Sequence, residues 1–96
     1  MYLRLTRGRG DPSSADEVQA LTQEIIAVVR QQPGFQHYYG GIDRASGQVI
    51  AVSTWDTQEQ AAASRNAMGL GEIISRLQAL GVQLEPAEVY EDAGHA

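Results

Sequence analysis

The sequence predicts an α+β fold of strand-helix-strand-strand-helix-strand order, with one antiparallel sheet covered by helices on one face and by a second copy of the chain on the other. Two observations carry this. Segments with period-two alternation and segments with helical spacing follow one another in that order along the chain. The third strand segment is apolar at four consecutive positions, Val49, Ile50, Ala51 and Val52, so that both of its faces need cover. Ninety-six residues with 43% hydrophobic content suit one domain over residues 1–96, with an ordered core from about 2 to 90. A chain this short buries only about 60–65% of its unfolded surface, so pairing with another copy adds burial that it otherwise lacks.

Each element has its own signal. Leu3 and Leu5 alternate with Tyr2, Arg4 and Thr6 in a first strand, which the run from Arg7 to Pro12 ends. Ser14 with Glu17 three residues on reads as a capping box, and Val18, Leu21, Ile25, Val28 and Val29 then recur at helical spacing up to Pro33-Gly34. Phe35 to Ile42 and Gln48 to Trp55 flank the short segment from Asp43 to Gly47 as a β-hairpin. Thr57 with Gln60 repeats the capping pattern and starts a helix that Gly69 and Gly71 interrupt; Leu70, Ile73, Ile74, Leu77 and Leu80 resume one face, and Gly81 closes it. The last strand, Val82 to Tyr90, contains Pro86, which confines it to a sheet edge or a bulge. Two split βαβ halves of this kind give a ferredoxin-like four-stranded sheet with both helices on one side. A second sheet closing the open side makes a dimeric α+β barrel.

Composition narrows the function. Twelve acidic against seven basic residues give a formal charge of −5, which repels a phosphate backbone and argues against nucleic acid as a partner. The absence of cysteine removes disulfides, thiolate metal sites and a cysteine nucleophile. No apolar run approaches the roughly 20 residues that span a bilayer, and the N-terminus lacks a long apolar segment, so a cytoplasmic protein without membrane partners is expected.

The motifs Pro33-Gly34-Phe35, Asp43 to Gly47, and Trp55-Asp56-Thr57-Gln58-Glu59-Gln60-Ala61, taken with the element order, resemble the antibiotic biosynthesis monooxygenase family of the dimeric α+β barrel superfamily. The resemblance implies a homodimer and a monooxygenase that oxidises a phenol or quinol with dioxygen and no cofactor, neither metal nor flavin. It also leaves a second reading open, a non-catalytic dimer that binds a small aromatic or apolar ligand or serves as a stress-response or accessory subunit. Haem-degrading relatives need an axial ligand, and no histidine occurs between His37 and His95.

Trp55 matches the tryptophan that ends the third strand and borders the cavity in such proteins; it reads either as a cavity wall or as a core residue whose indole N–H finds a local acceptor. His37 is the candidate base, since histidine is the side-chain type whose ordinary pKa lies nearest neutrality, although a strand histidine also serves in packing. Asn66 is the candidate donor for a developing anion; Arg65, Asn66 and Met68 read either as a polar lip over a cavity or as the surface covering of a helix end. Arg7 and Arg9 lack a phosphate-loop pattern and read as solvated charges. The hairpin register decides which second-strand side chains accompany Trp55: Phe35, His37 and Tyr39 if Gly41 pairs with Val49, Gln36 and Tyr38 if Ile42 does.

Overall fold

The computed structural model describes residues 1–96. Its elements are β1 (Tyr2–Arg9), α1 (Ala15–Val29), β2 (Phe35–Ile42), β3 (Gln48–Trp55), α2 (Gln58–Ala63), α3 (Leu70–Ala79), β4 (Gln83–Leu84) and β5 (Glu88–Glu91). The strands form one antiparallel sheet in the order β2-β3-β1-β4, with β5 continuing along the same edge of β1. β4 and β5 are thus one edge strand split around Pro86, where the missing N–H cannot join a ladder.

Local chemistry sets the helix ends. The α1 entrance differs from the expected capping box. Ser14 makes no side-chain cap; Asp11 caps a short 3-10 turn over Pro12–Ser14 instead, its Oδ1 accepting from the Ser13 N–H at 2.9 Å and the Ser13 hydroxyl at 2.8 Å. Pro12 suits that first turn because its position needs no N–H. At α2, Thr57 Oγ1 accepts from the Gln60 N–H at 3.2 Å, as the sequence pattern requires. A second 3-10 turn, Ser64–Asn66, leads to Gly69, whose φ of 92° lies in the left-handed region and turns the chain into α3. Gly71 lies inside α3 and breaks nothing. Gly81 at φ 89° ends α3, and the Val82 N–H reaches back to the Leu77 carbonyl at 3.1 Å.

The core lies between the sheet and the helices: Val18, Leu21, Ile25 and Val29 of α1 meet Leu70, Ile73 and Leu77 of α3, with Trp55 and Val82 fully enclosed. A paired contact of the Arg76 guanidinium with the Glu24 carboxylate, at 2.8 and 2.9 Å, ties α3 to α1 at the surface. The opposite face of the sheet is not covered by any other part of the chain. Leu3, Leu5, Ile50, Val52 and Tyr39 lie on it, Ile50 being 42% and Tyr39 65% exposed. No helix is long and apolar enough to cross a membrane.

Candidate functional site

The sheet rows facing the helices explain why a cavity exists. From one end, the rows across β2, β3 and β1 read Phe35-Trp55-Tyr2, Tyr38-Ser53-Arg4, Gly40-Ala51-Thr6 and Ile42-Val49-Gly8. The large side chains sit in the first row and the small ones in the middle. Gly40, Ala51, Thr6 and Ser53 cannot fill the depth between sheet and helices, so a cavity of about 450 Å³ remains above them, roofed by α1 and α3. That volume falls in the usual range of small-molecule sites, roughly 300–1,000 Å³. Its walls are mostly apolar, among them Val18, Ile25, Val29, Leu70 and Leu77. The exposed residues Gln19, Gln23 and Gly40 border it between α1 and the free edge of β2. Gly40 matters there, because a Cβ at this position would stand 2.9 Å from Thr22 Cγ2 on α1.

Two groups give the cavity its polarity. The Arg4 side chain rises from the middle of β1 beneath the helices and is half-buried. Its one side-chain hydrogen bond is a 3.5 Å contact from Nη1 to the Thr6 hydroxyl, and none of the four ion pairs of the protein includes it. Burial pulls its pKa below the usual guanidinium value; nearby Tyr38 opposes that shift and the charge of Arg65 adds to it. Tyr38, in the same row, has its phenol pushed up by burial, with the Arg4 charge working against that shift. Ser53 and Ser64 add hydroxyls, the latter donating to the Ala61 carbonyl at 2.8 Å. Glu85, exposed, is the one carboxylate among the lining residues, and no histidine lines the cavity. No cluster of three His, Cys, Asp or Glu side chains occurs anywhere that would hold a metal ion.

The residues proposed from sequence distribute unevenly around this site. Arg65 lines the cavity. Trp55 does not: it is 0% exposed and sits one row behind, its Nε1–H donating to Ser53 Oγ at 2.8 Å and its ring meeting Phe35 edge-on at 5.6 Å. Phe35 packs on the core tryptophan and is not part of this cavity's lining. His37 and Tyr39 point to the open face of the sheet, their rings 6.4 Å apart, because Ile42 and not Gly41 pairs with Val49. That register turns Tyr38 to the helices. A bulge between Phe35 and His37 then returns Phe35, in place of Gln36, to the Trp55 side; Gln36 is exposed and donates to the Asp56 carboxylate. Asn66 is exposed and outside the cavity wall, and Met68 is 93% exposed in the turn before Gly69.

Arg4, Thr6 and Ser53 were missed as site residues. Arg4 and Thr6 alternate with Leu3 and Leu5, a pattern that reads the leucines as the core side, and only the strand pairing puts Arg4 and Thr6 beneath the helices.

Comparison with known proteins places this geometry. The family model described as antibiotic biosynthesis monooxygenase matches residues 1–74, the part that holds β1, β2, β3 and most of the cavity roof. The chain belongs to that family. Among solved structures, a candidate antibiotic biosynthesis monooxygenase from Deinococcus radiodurans is 23% identical, with a TM-score of 0.82 over 100% of this chain and 95% of that one. SnoaB, a cofactor-independent oxygenase from Streptomyces nogalater, is 16% identical, with a TM-score of 0.79 over 98% of this chain and 94% of that one. A family protein from Nitrosomonas europaea is 10% identical, with a TM-score of 0.82 over 98% and 100% of the two chains. At these identities the likeness establishes the fold. None of the curated proteins matches the chain significantly.

Proposed function

We propose that the protein is a cofactor-independent monooxygenase of the antibiotic biosynthesis monooxygenase family, acting on a small phenol or quinol in the cavity between sheet and helices. The observation that carries this reading is that Arg4 and Tyr38, in one row of the sheet on either side of Ser53, both line a mostly apolar cavity. An electron-rich phenolate can pass an electron to dioxygen by itself, so the protein has to bind the anion, exclude water and hold the ring. Arg4 favours the ionised oxygen and Tyr38 donates a hydrogen bond to it. For a phenol with a free para C–H, one oxygen atom of dioxygen enters the ring as the new carbonyl and the other leaves as water, giving the quinone. Two copies of the chain meeting across Leu3, Leu5, Ile50, Val52 and Tyr39 complete the dimeric barrel in this account.

A binding protein without turnover is the second reading, favoured by one observation: Glu85 is the one carboxylate beside the cavity, it is exposed, and no histidine joins it as a base. Oxygen uptake separates the two. With a panel of naphthalene-diols that keep a free para C–H and a metal chelator present, the oxygenase reading predicts uptake of one dioxygen per quinone formed, with no hydrogen peroxide released, above the rate of the uncatalysed reaction. Ligand binding with no uptake above that rate would leave the binding reading alone.

A further inference from the structure

We infer that the cavity recognises its ligand as a preformed aromatic monoanion, a flat apolar body with one negatively charged oxygen group seated on the Arg4 guanidinium beside the Tyr38 hydroxyl. The inference rests on the cavity assignment above and adds to it the charge state in which the ligand arrives.

The absence of a counter-ion is the first ground. A guanidinium drawn out of water is normally paired, because an uncompensated charge in such a place is costly. Each of Arg7, Arg44 and Arg76 has a carboxylate within 3.2 Å, and all three lie at the surface. Arg4 lies deeper and has only the long Thr6 contact. Arg65, exposed, also lines the cavity, so two cations border it and no carboxylate lies in its interior. This arrangement is unfavourable when the cavity is empty and is relieved by a single bound anion.

Proton traffic is the second ground. A ligand that entered neutral and had to ionise inside would need an acceptor for its proton. Around the cavity the titratable groups are Arg4, Arg65, Tyr38 and Glu85; two are cations, Tyr38 is a phenol held protonated by burial, and Glu85 stands exposed on the connection between β4 and β5. A ligand that is already ionised when it arrives needs none of them to act as a base. The apolar residues of α1 and α3 fix the rest of the ligand as hydrocarbon or ring, without a second charge.

Shape adds direction. Gly40 and Ala51 leave the floor flat beside the Arg4 row, and the exposed border at Gln19, Gln23 and Gly40 gives an approach from the β2 edge. A ring sliding in over Gly40 brings its leading oxygen group to Tyr38 and Arg4.

The test compares 2-naphthoate with 2-naphthamide, which differ in charge and little in shape, by calorimetric titration at neutral pH. The expected result is at least tenfold tighter binding of the carboxylate, a preference that falls to less than twofold in Arg4→Met and survives in Arg4→Lys. Tyr38→Phe should weaken the carboxylate severalfold and leave the amide unchanged. Titrating 2-naphthol across its own ionisation distinguishes the source of charge: affinity rising with the phenolate fraction assigns the site to phenolates as well, and flat affinity restricts it to carboxylates. Thermal melts separate a binding arginine from a structural one, since Arg4→Met should melt at the same temperature as the unsubstituted protein or higher. Equal binding of acid and amide, no binding of either, or a preference that persists in Arg4→Met would overturn the inference. Oxygen uptake with neutral quinols alongside equal binding would overturn it while sparing the oxygenase reading, and a charge preference without uptake would do the reverse.

Discussion

Ser53 joins the core to the cavity. Its Oγ accepts the Trp55 indole N–H from one side while its side chain forms cavity floor on the other. Ser53→Ala leaves a buried donor without a partner, and the expected loss is about 1–3 kcal/mol in urea unfolding. Trp55→Ala removes a fully enclosed ring and should cost about 3–5 kcal/mol, enough to leave little folded protein in so small a domain. Trp55 fluorescence should report cavity occupancy through Ser53, which accepts the indole N–H and lines the cavity. Tyr38 has a signature of its own. Its folded pKa is raised, so the neutral phenol is favoured in the folded state. That contribution is fully present below the unfolded tyrosine value of about 10 and is lost as pH rises from there through the folded value. Urea midpoints measured upward from about pH 10 should therefore fall less steeply in Tyr38→Phe than in the unsubstituted protein.

Secondary-structure elements were legible where a local device defines them, and less so where the device was displaced. Thr57-Gln60 and Gly81 act as their residue types predict. Ser14-Glu17 carries the pattern of a capping box, yet Asp11 makes the side-chain cap, because Pro12 opens a 3-10 turn one step earlier. Register was the weak point for the site. A shift of one residue in the hairpin exchanges His37 and Tyr39 for Tyr38, and only the pairing of Ile42 with Val49 resolves it. The bulge after Phe35 could not be read from residue types, since no glycine marks it. Two tests belong here. The Asp11 carboxyl is held below its usual range, first by the Ser13 N–H and then by the Ser13 hydroxyl, so its contribution is present above the unfolded value of about 3.9 and is lost as pH falls through the folded one. Acid unfolding should thus come at higher pH in Asp11→Ala. Gly81→Ala forces a side chain into the left-handed region at φ 89° and should cost about 1–2 kcal/mol, read as a lower melting temperature.

At the scale of the whole molecule, one sheet separates two differently used surfaces. The strand residues Val49 and Ala51 serve the helix side while Ile50 and Val52 serve the other, which is why the segment reads as apolar throughout. The dimer account predicts sedimentation at about twice the 10.4 kDa chain mass at micromolar concentration. Val52→Glu should shift it to the monomer and lower stability. The fold of the single chain was legible because element order is a pattern-level property. The cavity was not, since it arises from what the middle rows lack, the small side chains of Gly40, Ala51 and Ser53, and only the pairing of strands brings those together. The two surfaces also give the central claim its sharpest test, in methyl NMR spectra of the protein titrated with 2-naphthoate. A ligand in the cavity should shift the methyl signals of Ala51, Ile74 and Leu77 in a saturable manner, leaving those of Leu3, Leu5 and Val52 in place. Saturable shifts confined to Leu3, Leu5 and Val52 would contradict the assignment and move the site to the open face with His37 and Tyr39.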